Sequence, residues 1–290
     1  MGKSILHLHE WEDAYTLWKQ DPARNIVLDP QRIALMLNGG TSESIDAKAA
    51  LAIQTLIELF SQSHKHILYQ GDAVSSHQDT PTPSQQRPTL TILSGIPGWG
   101  KSSYARQVVK KDPKSIIISN DGLRGILSGV EEKDINEKIW HTAVHSDVEH
   151  KDITLENFVF PEINNAKRAL ISTFLDHGYH VIGDAVHAKG TQWDDFDAQY
   201  ATKADIKHIL VGPENLLTWF KKATQREVRP ENKETFIKVG KWIRELVQAK
   251  DEQWNPKYLF DTVLWNTYTD LWFKDITKDF YTRNSISLKK

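Results

Sequence analysis

Leu90-Thr91-Ile92-Leu93-Ser94-Gly95-Ile96-Pro97-Gly98-Trp99-Gly100-Lys101-Ser102-Ser103-Tyr104-Ala105 is the stretch that decides the fold. Its middle, Gly95 to Ser102, fits G-x-x-x-x-G-K-[ST] without exception. An apolar run suited to a strand precedes it and a helix-compatible stretch follows, which is the setting the motif needs. Its glycines let backbone N–H groups converge on anionic oxygens, beside a helix N-terminus that favours negative charge. With glycine near ~7% of residues, a chance match is expected in about one chain of this size in a hundred. Gly95, Ile96, Pro97, Gly98, Trp99, Gly100, Lys101, Ser102 and Ser103 therefore read as a nucleotide-binding loop. Lys101 would reach the β- and γ-phosphates, and the Ser102 hydroxyl would ligate Mg2+.

Outward from this loop, strands and helices alternate. Strands are expected at 90–93, 115–118, 180–183, 206–211 and 259–265, with helices starting near Lys101, Asp121, Asp134, Pro161, Pro213 and Glu234. The pattern predicts an α/β fold built on a doubly wound parallel sheet, with reactive loops at the carboxyl ends of its strands. Residues 76–88 hold three prolines and almost no apolar side chain, and read as a linker. They divide a mainly helical N-terminal segment, 1–75, from a P-loop domain, 89–290. In the first, 10–19 reads as a helix carrying Trp11, Tyr15 and Trp18, and 25–28 as an extended run. Asp29-Pro30 then supplies a helix cap and a first-turn proline. Residues 45–60 are apolar nearly all round, as in a buried helix. No chemistry is evident in this segment, which reads as a subdomain or brace.

Composition narrows the chemistry. The 290 residues include no cysteine, which excludes disulfides, thiolate zinc sites, iron–sulfur clusters and cysteine nucleophiles. The formal net charge of −2 gives no global basic field, so a nucleic-acid partner would be held by a local patch. No apolar run approaches the ~18 residues of a membrane span, and the start lacks a signal-peptide core, so a cytoplasmic protein with no membrane partner is expected.

Three further stretches carry candidate chemistry. Ile116-Ile117-Ile118-Ser119-Asn120-Asp121-Gly122-Leu123-Arg124 places Asp121 at a strand's carboxyl end, where a carboxylate can accept the proton of an attacking hydroxyl. Arg124, one helical turn on, can hold an acceptor phosphate. The plainer alternative makes Asp121 a helix cap and Arg124 a solvated side chain. His180-Val181-Ile182-Gly183-Asp184 ends in a lone aspartate followed by Ala185, which suits phosphoryl transfer better than the Asp-Glu pair of a hydrolytic motor. The base-reading motif of GTPases is missing, since Asn232-Lys233 continues Glu234-Thr235. Between Lys221 and Lys250, nine basic residues face four acidic ones, a local net of +5. This stretch, with Arg226 and Arg229, reads as a lid that closes over the transferring group, or as a solvated basic face.

Taken in order, Gly95-x-Pro97-Gly98-x-Gly100-Lys101-Ser102-Ser103-x-Ala105, Ser119-Asn120-Asp121-Gly122-Leu123-Arg124, Val181-Ile182-Gly183-Asp184-Ala185 and Arg226-x-x-Arg229 resemble phage polynucleotide 5′-kinases. The wider relatives are zeta-toxin-like kinases and phage kinases acting on hydroxymethyluracil in DNA. The similarity covers roughly 89–266. It implies ATP and Mg2+ as cofactors, Lys101 on the phosphates, Ser102 and Asp184 on the metal, and Asp121 as general base. It further implies Arg124 on the acceptor strand and Arg226 and Arg229 as lid arginines. Two departures stand out: Gly122 occupies the place of a second acid, and Ala185-Val186-His187-Ala188-Lys189 replaces the Thr-Asn and nearby arginine of that group.

His141, His145 and His150 lie among acidic neighbours, and read as a solvated or acceptor-side face rather than a metal site. Of the ten tryptophans, Trp242, Trp254 and Trp265 read as core, and Trp99 is the best base-stacking candidate. The sequence thus predicts a kinase that moves the γ-phosphate of ATP to a hydroxyl in nucleic acid, DNA more than RNA. That hydroxyl is either a 5′ end or a hydroxymethylated pyrimidine, and the setting is the host cytoplasm if the chain is phage-encoded. The alternatives are a small-molecule or toxin-type kinase, and a nucleotide-gated binding module without phosphotransfer. Oligomeric state is left open.

Overall fold

The structure, a computed structural model, describes residues 5–8, 16–18, 20–21, 24–40, 46–63, 65–70, 87–95, 98–129, 155–185, 190–214, 260–266 and 273–283. In chain order the elements are β1 (Ile5–Leu8), β2 (Asn25–Leu28), α1 (Pro30–Leu37), α2 (Ala47–Gln62), β3 (His66–Gln70), β4 (Thr89–Ser94), α3 (Lys101–Lys111), β5 (Ser115–Ser119), α4 (Asn120–Ser128), α5 (Leu155–Asp176), β6 (His180–Asp184), α6 (Gly190–Tyr200), β7 (Asp205–Pro213), β8 (Thr262–Asn266), β9 (Phe273–Asp275) and α7 (Thr277–Arg283). They fall into two compact units, Met1–Ser84 with Ile116–Gly178, and Gln85–Ser115 with Tyr179–Lys290. In the first, α5 packs on both α2 and α4, burying Ile163, Ala166, Leu170 and Phe174, so this part of the chain shares its core with the N-terminal segment.

In that first unit, three parallel strands run in the order β1-β3-β2. The extended run expected at 25–28 is β2, whose Ile26, Val27 and Leu28 are all buried, as in a strand covered on both faces. Two strands were not foreseen, β1 and β3. A parallel pair leaves no turn between its strands, and Asn25 aligns with His66 across two intervening helices. Asp29 caps α1 by accepting from the Arg32 N–H at 3.1 Å, with Pro30 in the first turn. Burial holds the Asp29 carboxyl above its usual range, opposed by the hydrogen bond from the Arg32 backbone. Helix α2 spans the expected 45–60 helix within two residues at each end, burying Ala49, Ala52, Ile53, Leu56 and Phe60. Between α2 and α5, Lys65 pairs with Glu162 at 2.7 Å, each about one-sixth exposed.

Strands in the second unit stand in the order β6-β4-β7-β8-β9, parallel throughout except for the antiparallel β8–β9 pair. The phosphate loop leaves the carboxyl end of β4, with β6 on one side and β7 on the other, in the α/β arrangement the sequence predicted. Helix α3 packs against β6, and α7 against β8. Some expectations shift. Helix α5 begins at Leu155, so Pro161 lies inside it rather than opening it; Pro213 ends β7, and the stretch after Glu214 where a helix is expected lies outside the described residues. Helices α6 and α7 and strand β9 went unforeseen. The helices expected near Asp134 and Glu234, the stretch 221–250, Trp242, Trp254 and the three histidines lie outside the described residues. Trp265, expected in the core, is only half-buried on β8. No helix among the described residues is long and apolar enough to cross a membrane.

Candidate phosphate-binding site

The loop takes its shape from three glycines at positive φ, Gly95 at 147°, Gly98 at 80° and Gly100 at 103°. Such backbone angles are nearly closed to other residues. Space adds a second demand. A Cβ on Gly95 would sit 2.5 Å from the Val211 carbonyl oxygen, and one on Gly100 would run into the Asn266 amide. Ile96 and Pro97 lie outside the described residues.

Lys101 opens α3 and is nearly buried, its ammonium donating to the Gly95 carbonyl at 3.0 Å. The chain thus folds the lysine back across its own loop, placing a positive charge against the loop backbone. Gly100 is the residue before the helix, and no side chain caps the first turn, so its N–H groups suit an anion. Ser102 stands exposed one residue on. Asp184 ends β6 directly opposite Leu93 of β4, two residues before Gly95, and is buried. Lys101 and Ser102 thus open α3 directly after the loop, and Asp184 ends the strand beside the one that leads into it. A hydroxyl and a carboxylate are both oxygen donors, the kind that can hold Mg2+ together with substrate phosphates. No group of three or more potential metal-ligating side chains exists among the described residues.

Trp99 does not stand free. Its six-membered ring lies about where Cβ atoms on Gly95 and Gly212 would make contact, at 3.4–3.7 Å, so two glycines form a shelf beneath it. That leaves the indole half-buried and weakens its reading as a base-stacking platform. Reasoning from sequence missed two residues that touch the end of the loop. Asn266, at the end of β8, donates its amide to the Trp99 carbonyl at 3.3 Å. Phe273, its cross-strand partner on β9, meets the Tyr104 ring edge-on at 5.3 Å between centroids. Tyr104's phenol is pushed above its ordinary value of 10.0 by burial, then by the Asp275 charge.

Asp121 and Arg124 belong to the other unit, and there they are joined. Arg124 donates to Asp121 at 2.9 Å across one turn of α4, with Asp121 largely exposed and Arg124 mostly covered. The cap of α4 is Ser119, not Asp121, which stands in the first turn of the helix. Helix α4 is held by the N-terminal segment. β2 and α1 pack on it, Met36 fills the space that Gly122 leaves open, and Arg32 reaches the Gly125 carbonyl at 3.5 Å. The segment without evident chemistry is thus a brace for the helix that carries Asp121 and Arg124. Arg226 and Arg229 lie outside the described residues.

A glycine-shaped loop between a central parallel strand and a helix, with a lysine on its rim and an aspartate ending the neighbouring strand, defines a P-loop nucleotide-binding domain. Residues 90–240, just over half of the chain, match the family described as AAA domain, and the chain belongs to that family. No curated protein matches the sequence. Among solved structures, the chain is similar to one in the Pnkp1/Rnl/Hen1 complex, at 20% identity over 48% of this chain and 40% of that one, with TM-score 0.34. It is similar also to the PezAT toxin–antitoxin system of Streptococcus pneumoniae, at 12% identity over 84% of this chain and 88% of that one, TM-score 0.46. A third is the APS kinase CysC of Mycobacterium tuberculosis in complex with AMPPNP and APS, at 16% identity over 55% and 77%, TM-score 0.31. The match spans less than half the length of the Pnkp1/Rnl/Hen1 chain.

Proposed function

We propose that this protein is an ATP- and Mg2+-dependent kinase that phosphorylates a hydroxyl group in nucleic acid. The observation that carries the reading is the loop itself: three positive-φ glycines, Lys101 bound to Gly95, and Asp184 placed beside the β4 end. Lys101 moves from the Gly95 carbonyl onto the β- and γ-phosphates when a triphosphate fills the loop. Ser102 and Asp184 would hold Mg2+, which when bound neutralises charge on the phosphate oxygens.

In the step itself, the acceptor oxygen forms a bond to the γ-phosphorus and the bond from that phosphorus to the β-phosphate bridging oxygen breaks. ADP leaves, and the acceptor's proton passes to a carboxylate, the role assigned to Asp121. A lone aspartate ending β6, with Ala185 after it, supplies no second acid to activate water, which favours transfer over hydrolysis. Arg124 is assigned to the acceptor's phosphate, and Arg226 and Arg229 to the charge of the transferring group. The acceptor class rests on the resemblance of the ordered motifs to polynucleotide kinases.

Radiolabelled γ-phosphate offered with single-stranded DNA, hydroxymethyluracil DNA, RNA and free nucleosides tests the whole reading. Label is expected on DNA, lost in Lys101→Ala and reduced at least ~100-fold in Asp121→Asn, the scale of a missing general base. Label on nucleosides alone would replace the nucleic-acid acceptor by a small molecule. ATP binding without any transfer would replace the kinase by a nucleotide-gated binding module.

A further inference from the structure

The loop is gripped from a part of the chain that lies beyond the family match. Asn266 and Phe273 stand directly opposite each other in the antiparallel β8–β9 pair, so they act from one spot. Asn266 is almost fully buried, 2% exposed, and its backbone is fixed along β7, by pairing with Pro213 and by accepting from the Glu214 N–H at 3.1 Å. From that fixed base its amide donates to the Trp99 carbonyl and lies against Gly100. Phe273 continues the contact, 3.4 Å from where a Gly100 Cβ would be, and then edge-on to Tyr104 in the first turn of α3. Trp99 and Gly100 are the last two residues of the loop before Lys101 starts α3. Holding the Trp99 carbonyl outward on Asn266 keeps it from facing a bound phosphate, where two negative oxygens would repel.

We infer that Asn266 and Phe273 are positioning residues that hold the phosphate loop in its anion-binding shape before nucleotide arrives. The inference rests on the nucleotide-binding reading of the loop and extends it to two residues that touch no phosphate themselves. An oxygen in place of the amide nitrogen would face the Trp99 carbonyl instead of donating to it. Asn266→Asp should therefore disturb the loop at almost unchanged side-chain size.

The test has two arms on the full-length chain. In the first, backbone hydrogen exchange is followed without nucleotide. Asn266→Asp and Phe273→Ala should speed exchange in peptides spanning 98–104 while leaving 89–93 of β4 unchanged, and Phe273→Tyr should restore protection. In the second, affinity for a non-hydrolysable ATP analogue with Mg2+ is measured at 20 °C. Both disruptive variants should bind about tenfold more weakly, the scale of one lost buried hydrogen bond for Asn266→Asp and of one lost edge-on ring pair for Phe273→Ala. Loop exchange equal to wild type would overturn the proposal, whatever the nucleotide result. Faster loop exchange in the variants, together with a wild-type protein that binds no nucleotide, would support the positioning role and sink the proposed function instead. Should Phe273→Ala fail to fold, Phe273→Leu keeps the apolar volume and removes the ring edge, and the same exchange readout decides.

Discussion

Replacing Gly100 by alanine puts the loop geometry to its hardest test. Gly100 sits at φ 103°, outside the range that side chains tolerate, and holding alanine there costs about 1–3 kcal/mol. The added methyl would also run into the Asn266 amide and lie 3.4 Å from Phe273. Asn266 is held by β7 and cannot withdraw freely, so overpacking adds another ~1–3 kcal/mol. If the fold absorbs the whole cost, thermal unfolding falls by roughly 2–4 °C per kcal/mol, of order 10 °C altogether. If the loop relaxes instead, the strain is spent on nucleotide affinity, about tenfold for each ~1.4 kcal/mol. Calorimetric melting together with titration of an ATP analogue separates the two. Gly40→Ala is the matched control: it has φ 80° but nothing within 4 Å of its Cβ. It should lose about 1 kcal/mol of stability and no nucleotide affinity. Should Gly100→Ala behave like Gly40→Ala in both measurements, the account of the loop as held against β8 is refuted.

Burial raises the Asp29 carboxyl, so the folded state binds a proton more tightly than the unfolded chain, and stability is lost as pH rises from about 3.8 through the raised value. An asparagine at this position keeps the cap without the buried charge: Asp29→Asn should melt at or above the wild-type temperature at pH 7, while Asp29→Ala should lose about 1 kcal/mol. Lys65→Met leaves Glu162 without its 2.7 Å partner, and should cost more than the ~1 kcal/mol of a surface pair and less than the ~3–5 kcal/mol of a fully buried one. A double-mutant cycle with Glu162→Gln in urea unfolding measures the coupling. Phe174→Ala should destabilise by about 3–5 kcal/mol, because α5 buries this ring completely in the first unit. Tyr104 stays neutral to higher pH in the folded protein, so its contribution is lost as pH climbs above 10, and Tyr104→Phe should flatten the alkaline limb of a stability profile.

Local chemistry was legible in the sequence, and distant packing was not. Gly95 to Ser103 declared itself because a phosphate loop compresses its requirements into nine consecutive residues. Strands β4, β5, β6, β7 and β8 were found from apolar runs, and Asp184 from ending one of them. Asp29-Pro30 marked the start of α1 because capping is a matter of two or three neighbouring residues. Asn266 carried no such mark. It lies 167 residues from Trp99 in the chain, and an asparagine ending a short strand looks ordinary until β7 and β8 are aligned. β1 and β3 escaped for the same reason, since their pairing is parallel and remote. Gly122 read as a departure from a family pattern, yet the structure gives it a local cause: Met36 occupies the space a side chain would need.

The interleaving of the two units along the chain has a consequence for biosynthesis. Residues Met1–Ser84 leave the ribosome without the helices that complete their apolar interior, because Ile116–Gly178 are still to be translated. At ~5–20 residues per second, the 94 residues from Ser84 to Gly178 take roughly 5–19 s to make. Throughout that interval the nascent sheet exposes Ile26, Val27 and Leu28 to water and to any chaperone at hand. Closing it requires joining segments about a hundred positions apart, a slow, high-contact-order event. Growth temperature and chaperone supply should therefore govern the yield of this protein more than the final stability of either half.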